Sequence, residues 1–295
     1  MVMLGSFDLT HAKSIDDAVE LKAKFGGEAA FYAGGTELLQ VLKEGLILYE
    51  QLISLRRLPD MNQIEFDEEQ GVLRIGALTT HAEIAKSPLI RRYQAAFAEL
   101  EDHIGNIRIR TSGTIGGNLA FAEPRSDPGA YLVAANASVY VRSLSDSRII
   151  PMSDFWRGPF ETSLDPGEVI MHIDVPILET HNGAAYKKFS VAEFPMAGVA
   201  VIVKLDEKKE KLAECRLVVA ATNPIPTRLT SAEDLLVGES LEIVNREVEW
   251  WVDAARPEMD AVDDYDGSAE YKNHVVGVLL REAVQEAINR AREVN

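Results

Sequence analysis

The segment Ala29–Leu42 reads AAFYAGGTELLQVL, and it predicts a strand, a glycine turn and a helix in immediate succession. The apolar run Ala29–Ala33 is typical of a short strand, and the apolar residues after Thr36 have helical spacing. We expect Thr36 to cap that helix, because a threonine hydroxyl can accept a hydrogen bond from a first-turn N–H. The adjacent Gly34 and Gly35 have no Cβ, so the backbone can turn sharply there and approach a bulky group closely.

A second glycine pair lies further along the chain, in Thr114–Asn118 (TIGGN). It belongs to the segment Arg108–Asp127, which is rich in Thr, Ser, Gly, Asn and Pro and is predicted to be an ordered loop system. If the two glycine loops converge, their backbone N–H groups could hold a pyrophosphate from both sides. For either loop alone, a plain turn is the alternative interpretation.

Composition limits the class of protein. The chain has 295 residues, with 30 Lys and Arg against 47 Asp and Glu, so its formal charge is −17. That charge disfavours nucleic acid and anionic lipid as partners, and it predicts that any bound phosphate is held by backbone groups. A single cysteine, Cys215, excludes an internal disulfide and a four-cysteine cluster on this chain, and it favours a cytoplasmic setting. No apolar stretch is long enough to predict a membrane span.

Periodicity and turn residues predict an α+β fold. The predicted strands are 46–58, the hairpin 63–66 with 72–77, the hairpin 138–142 with 149–151, the strand 169–175, and the hairpin Met196–Leu205 with Leu212–Ala221. The predicted helices start after Ser14 and after Thr80, form one longer helix across Leu89–Ile104, and occupy Ser231–Leu236, Leu241–Ala255 and Ala269–Arg292. We predict the main domain boundary after Pro176 and a solvated acidic loop over Pro257–Glu270.

Five segments in sequence order resemble the FAD-binding (medium) subunit of the molybdenum hydroxylases, the xanthine dehydrogenase and aerobic carbon monoxide dehydrogenase group. They are Ala33–Leu39 (AGGTELL), Ile75–Thr80 (IGALTT), Arg108–Asp127, Tyr186–Phe189 (YKKF) and Gly267–Lys272 (GSAEYK). The resemblance implies a two-lobed, PCMH-type FAD-binding domain at residues 1–176, with a subdomain boundary near residue 60. A smaller C-terminal α+β domain of the carbon monoxide dehydrogenase flavoprotein type follows at residues 177–295.

The resemblance also implies the cofactor, its contacts and the partners. FAD is expected to bind non-covalently through Ala33, Gly34, Gly35, Thr36 and Glu37 of the first loop, through Thr114, Ile115, Gly116, Gly117 and Asn118 of the second, and through Asp127 at its polyol chain. The implied partners are a molybdenum-binding large subunit and a [2Fe–2S] small subunit, assembled as a dimer of heterotrimers. Molybdopterin and the [2Fe–2S] clusters are then expected on those partners, and no metal on this chain.

Several residues have a separate prediction. Glu37 is expected to accept hydrogen bonds from ribose hydroxyls, the adenine amino group or loop amides, because a carboxylate aimed at pyrophosphate would weaken binding; a solvent-facing acid at a helix start is the alternative. Glu101–His103 is expected to be a solvated helix end rather than a metal site. The pairs Trp250–Trp251 and Phe155–Trp156 are expected to pack in the protein, and Cys215 to be a buried strand residue.

The predicted function is electron transfer from partner [2Fe–2S] clusters through FAD to an external acceptor. A stand-alone flavin oxidoreductase of similar fold is the alternative, and it would need an acid or base beside the ring. Glu193 is the candidate for that role, in the stretch Ser190–Pro195 where relatives carry an Arg-Arg pair and an Asp. A third possibility is an assembly paralogue without cofactor, which the intact glycines of both loops disfavour.

Overall fold

The computed structural model describes residues 5–190 and 194–293, and it confirms a mixed fold of helices and strands. The strands are β1 (Asp8–His11), β2 (Ala29–Tyr32), β3 (Gln51–Ser54), β4 (Ile64–Asp67), β5 (Val72–Gly76), β6 (Ser138–Arg142), β7 (Ser147–Pro151), β8 (Trp156–Gly158), β9 (Glu161–Thr162), β10 (Val169–Pro176), β11 (Asn182–Ser190), β12 (Pro195–Leu205), β13 (Leu212–Ala220) and β14 (Thr227–Arg228). The helices are α1 (Ile15–Phe25), α2 (Leu38–Lys43), α3 (His81–Lys86), α4 (Pro88–Tyr93), α5 (Ala95–Asp102), α6 (Ile107–Ser112), α7 (Ile115–Phe121), α8 (Asp127–Ala134), α9 (Thr230–Leu236), α10 (Leu241–Arg246), α11 (Val248–Ala255) and α12 (Ala269–Glu293).

The described residues form three larger sheets and a two-stranded sheet of β8 and β9. The first is parallel, in the order β1-β3-β2, and α1 provides the crossover that a parallel connection needs. The second is antiparallel, in the order β4-β5-β10-β6-β7, and it contains both hairpins predicted for this part of the chain. The third is antiparallel, in the order β11-β12-β13-β14, and the predicted hairpin at 196–221 forms its centre. β11 lies outside the predicted strands.

The third sheet is buried on both faces. Along β12, Ala200 and Ile202 point to one hydrophobic cluster, whereas Val199 and Val201 point to the other, as expected for side chains that alternate along a strand. α8 packs against one face of this sheet, and α12 crosses the other. The first cluster also contains core residues of the second sheet, so buried packing is continuous across residue 176. The domain division at that position stays a prediction.

Two of the three residues predicted to cap a helix do so in the structure. Ser14 accepts a hydrogen bond from the Asp17 N–H, and Thr80 forms a reciprocal capping box with Glu83, so both predictions are confirmed. The prediction for Thr36 is wrong, because α2 begins only after Glu37. Glu37 is the residue that precedes the helix, and its backbone is already helical (φ −92°, ψ −49°). A residue that caps a helix with its side chain needs an extended backbone, so the helix has no side-chain cap.

Two of the three predicted long helices are each broken into two, whereas the third forms α12 as predicted. The first breaks at Gln94 (φ −145°, ψ 53°), whose buried side chain accepts from the Tyr131 hydroxyl and donates to the Pro176 carbonyl oxygen. The second breaks at Glu247 (φ −100°, ψ 46°), between α10 and α11. Such breaks leave the apolar spacing almost unchanged, so periodicity alone does not reveal them.

The structure of Arg108–Asp127, the segment predicted to be an ordered loop, also differs from the prediction. It contains α6, α7 and the start of α8, so the loop prediction is wrong for most of its length. Asn106 and Thr114 cap the first two of these helices through their side-chain oxygens. The helices are only six and seven residues long, too short to give a clear helical period in a sequence rich in turn residues.

The contact between β11 and α12 gives a test of the fold. A Cβ added at Gly183 would lie 1.9 Å from the Ala287 carbonyl oxygen, and helix backbone cannot move away cheaply. Gly183→Ala should therefore lower the free energy of unfolding by about 2 kcal/mol or more, measured by urea denaturation of the full chain. Gly27→Ala is the matched control, because nothing lies within 4 Å of a Cβ there. Equal denaturation midpoints for the two variants would contradict this packing.

Candidate functional site

The two glycine loops lie against each other. The Ser112 hydroxyl donates to the Gly34 carbonyl oxygen at 2.9 Å, and a Cβ on Gly34 would stand only 2.3 Å from the Ser112 oxygen. Gly34 is therefore required by close backbone packing between the loops. Gly35 is required for another reason, because its φ of +76° is left-handed and a Cβ would meet the Tyr32 ring at 2.4 Å.

The first loop presents unpaired backbone donors. The N–H groups of residues 34–37 donate no hydrogen bond to any group in the described part of the chain. Successive free N–H groups in a tight turn form a concave site that favours an anion. This turn therefore fits a phosphate group without help from a lysine or arginine.

The second loop differs, because its leading amides are already paired. The Ile115 N–H donates to the Thr79 carbonyl oxygen at 3.0 Å, and the Gly116 N–H donates to the Ala77 carbonyl oxygen at 2.9 Å. The Gly117 N–H donates to Thr114 Oγ1 at 3.2 Å. The second loop thus contributes mainly shape, whereas the first contributes free donors.

The glycines of the second loop also have separate functions. A Cβ on Gly116 would stand 2.7 Å from the Ala77 Cβ, so this glycine allows α7 to pack on the chain after β5. A Cβ on Gly117 would meet Thr114 Oγ1 at 2.9 Å and otherwise only the Ala33 Cβ, at 4.0 Å. Gly117 therefore faces open space between the two loops.

A single cavity collects ten of the eleven residues predicted to contact a cofactor. Ile115 is the exception: its side chain is fully buried in the hydrophobic core, so its position does not support a contact. Other residues of the wall were not predicted, and they include His81, Ile104, Gly105, Ile109, Glu123, Arg125, Leu164, Glu168, Ile170 and Phe194. They come from helices, from β10 and from the loops between elements, and none of them belongs to either glycine motif.

Glu37 lies in this wall with its side chain partly buried. Its carboxylate accepts no hydrogen bond from the described residues, so it is available to a ligand. Burial, and then the negative charge of Glu123, raise the pKa of Glu37 above its ordinary value.

Asp127 stands at the start of α8 and is buried. The Tyr186 hydroxyl donates to its Oδ1 and the Lys188 ammonium donates to its Oδ2, both at 2.6 Å. Burial and the neighbouring carboxylate raise the pKa of Tyr186, so the phenol keeps its proton and donates. The two partners are two residues apart on β11 and therefore lie on one face of the strand. That spacing is the sequence signal that could have identified them.

A second buried carboxylate pairs with a histidine. His81 Nδ1 and Glu101 Oε2 are 2.6 Å apart, and neither side chain is more than 3% exposed. The prediction of a solvated helix end is therefore wrong for Glu101, because this residue is on the face of α5 that also buries Phe97. Across residues 5–190 and 194–293, no group of three or more His, Cys, Asp or Glu side chains could hold a metal ion.

Arg125 also lines the cavity. Its guanidinium lies 4.5 Å from the centre of the Phe194 ring, and it pairs with Glu123 at 3.1 Å. Glu193, the candidate acid or base, is outside the described residues. Trp251 and Phe155 are buried and Trp156 packs against Phe155, as predicted, whereas the packing prediction is wrong for Trp250, which is exposed. Cys215 is buried on β13, as predicted.

Comparisons with known proteins cover the whole fold. Residues 5–178 match the model of the FAD binding domain in molybdopterin dehydrogenase, and residues 184–287 match that of the CO dehydrogenase flavoprotein C-terminal domain. The chain is 33% identical to the carbon monoxide dehydrogenase medium chain of Afipia carboxidovorans, over 98% of this chain and 99% of that one. It is 32% identical to the alpha subunit of the 6-hydroxypseudooxynicotine dehydrogenase complex of Paenarthrobacter nicotinovorans, over 97% and 96%.

The same likeness holds in three dimensions. A chain of the reconstituted CO dehydrogenase from Oligotropha carboxidovorans superposes with a TM-score of 0.92, at 30% identity, over 98% of this chain and 99% of that one.

Among the described residues, no helix combines the length and the apolar character needed to cross a bilayer.

The buried Asp127 carboxylate gives a test of how the site is held together. Lys188→Met removes its charged partner, and the free energy of unfolding should fall by about 3 kcal/mol because the carboxylate remains buried. Lys187→Met is the matched control, since its partner Glu286 is more exposed, and it should cost no more than about 1 kcal/mol. Urea denaturation measures both. Adding Asp127→Asn to Lys188→Met should restore most of the loss, and failure to do so would show that the pairing is not the cause.

Proposed function

The chain belongs to the FAD-binding medium subunits of the molybdenum hydroxylase family, and from that membership we propose that it is the electron-transfer subunit of a cytoplasmic complex. A [2Fe–2S] small subunit would supply electrons, and a molybdenum-binding large subunit would oxidise the substrate. By the same proposal the complex is a dimer of such heterotrimers, and an external acceptor receives the electrons.

FAD, when bound non-covalently, supplies the redox chemistry, because its ring accepts and releases electrons. The residues of this chain bind and orient it. The four unpaired N–H groups at residues 34–37 are the observation that carries this proposal, since they fit the pyrophosphate of a dinucleotide. Arg125 is the only Lys or Arg side chain among the described residues that line the cavity. Backbone donors, not basic side chains, would therefore neutralise the phosphates.

The remaining wall fits the rest of the cofactor. Gly117 leaves space between the two loops, and Glu37 provides a free acceptor for hydroxyl or amino groups. Ile104, Ile109, Leu164 and Ile170 give an apolar lining of the kind that an aromatic ring prefers. The proposed site thus combines a polar turn for the phosphates with an apolar chamber for a ring.

The chain is an oxidoreductase subunit, so the isolated protein and the assembled complex should behave differently. A stand-alone enzyme would act on its own organic substrate, whereas an electron-transfer subunit depends on a partner to reduce its flavin. This difference separates the proposed function from the alternative.

The first test concerns cofactor binding. Gly117→Val fills the space between the loops with a branched side chain, and FAD affinity should fall more than tenfold, which corresponds to about 1.4 kcal/mol or more. Equilibrium dialysis or flavin fluorescence measures the dissociation constant. Gly27→Val is the control and should bind FAD like the unchanged protein, because nothing lies near its Cβ. Unchanged affinity in a folded Gly117→Val protein would mean that the second loop is only a turn.

The second test concerns the source of electrons. The isolated chain should bind about one FAD per chain by these contacts, contain no iron, and show no rapid flavin reduction by the organic substrates that the complex oxidises. Adding the two partner subunits should produce substrate-dependent reduction in a stopped-flow spectrophotometer. Rapid reduction of the flavin in the rigorously purified single chain would instead support the stand-alone oxidoreductase.

A further inference from the structure

The buried pair of His81 and Glu101 forms part of the cavity wall but has no function in the site described so far. His81 is 2% exposed and lines the cavity, and Glu101 lies behind it with no exposure at all. Burying two such groups is costly unless they are paired and hydrogen-bonded. Their hydrogen bond of 2.6 Å meets only part of that requirement, because Glu101 Oε1 is buried and has no partner among the described residues.

The orientation of the histidine ring is fixed from two sides. Its Nδ1 is held by Glu101, and its backbone N–H donates to the Gly113 carbonyl oxygen at 3.2 Å. A Cβ on Gly113 would meet the ring at 3.1 Å, so the ring is packed directly against this glycine. The other ring nitrogen, Nε2, has no hydrogen-bond partner anywhere in the described residues, although its side chain is almost completely buried.

The shared proton of the pair does not alter what Nε2 presents. With Glu101 ionised and His81 charged, both ring nitrogens carry a proton. With the proton moved to Glu101, the carboxyl group donates to Nδ1, and Nε2 again carries the proton. Nε2 is bare in two other forms. Loss of a proton from the pair adds a net negative charge to a buried site, and a proton on Glu101 Oε1 is a buried O–H group for which the described residues provide no acceptor.

The charged neighbours oppose that loss. Asp127, at the start of α8, adds a further negative charge near Glu101, and Lys188 on β11 only partly offsets it. Burial raises the pKa of Glu101 above its ordinary value, even though His81 acts in the opposite direction. Burial and Asp127 thus both favour the protonated carboxyl group, and when Glu101 donates that proton to Nδ1 the ring presents an N–H donor at the cavity wall.

The position of the ring indicates which half of a bound dinucleotide it meets. Gly34 of the first loop packs on Gly113, and the His81 ring packs on the same glycine. His81 is therefore separated from the phosphate-binding turn by Gly113. The Lys188 ammonium contacts both Asp127 and the carbonyl oxygen of His103, next to the wall residues Ile104 and Gly105. Lys188 thus links Asp127 to the end of α5, two residues after Glu101. The pair of His81 and Glu101 therefore lies on the same side of the cavity as Asp127, the residue expected at the polyol chain that leads to the flavin.

We propose that His81 is a cofactor-contacting residue, which donates a hydrogen bond from Nε2 to the flavin half of FAD, and that Glu101 is the residue that positions it. The inference rests on the proposed cofactor, and it assigns a donor that no glycine loop supplies. A donor in this place stabilises the reduced flavin, which is richer in electrons, more than the oxidised flavin. His81 would thereby raise the midpoint potential of the bound cofactor.

Two substitutions at position 81 separate the two ring nitrogens. In His81→Asn the amide can still reach Glu101 but not the cavity, whereas in His81→Gln the amide can extend to the position of Nε2. We expect His81→Asn to weaken FAD binding about tenfold and to lower the flavin midpoint potential, and His81→Gln to remain within about threefold of the unchanged chain. Exposed His274 on α12 provides the control, and His274→Asn should change neither quantity. Thermal melts of each full-length variant establish that it is folded.

Further measurements locate the contact. ADP, used as a competitor of FAD, should bind His81→Asn and the unchanged chain equally; a matching loss of ADP affinity would overturn the assignment to the flavin half. Adding Glu101→Gln to His81→Asn should leave FAD affinity where it was, and a further loss would overturn the positioning function of Glu101. If the unchanged chain binds FAD and folded His81→Asn has the same affinity and potential, the inference fails while the proposed function stands. If the unchanged chain binds no FAD, the proposed function fails first.

Discussion

The buried carboxylate of Asp127 is the constraint on which the arrangement of the two halves depends. It begins α8, a helix whose eight residues are all buried and which packs against β12 and β13 of the third sheet. A carboxylate in that position needs partners, and it finds them in Tyr186 and Lys188 of β11. The third sheet must therefore sit where its first strand reaches the start of α8, and that placement closes one side of the cavity.

The cavity itself depends on backbone more than on side chains. Gly34 and Gly116 allow pieces of main chain to lie closer than any residue with a Cβ permits, and Gly35 supplies a left-handed turn. The result is an asymmetric pair of loops. One has its amides unpaired and directed to a ligand, and the other has its amides paired within the fold and serves as a wall. The chain has a net charge of −17 and few basic side chains near the cavity. It can still bind a dianionic cofactor, because the positive ends of peptide dipoles stabilise an anion without a lysine or arginine.

Local features of the sequence predicted local features of the structure well. The caps at Ser14 and Thr80 and the hairpins follow from residues within a few positions of one another. The break at Gln94 could not be predicted in this way, because it depends on hydrogen bonds to Tyr131 and Pro176, far away in the chain. Glu101 was misplaced for the same reason: its charge suggested solvent, whereas its partner His81 comes from another helix. The candidate site was predictable where it is contiguous, in the two glycine loops, and not where separate elements build the wall.

The unpaired amides of the first loop have a consequence for how this protein can change over generations. Every residue except proline carries the same backbone N–H, so a substitution in the turn that keeps its path keeps its donors. Selection for these donors then acts on the few positions that shape the path, Gly34 and Gly35. A binding site made of main-chain N–H groups tolerates sequence changes that would abolish a site made of arginine side chains. Distant homologues can therefore still bind the ligand after most side chains have been replaced.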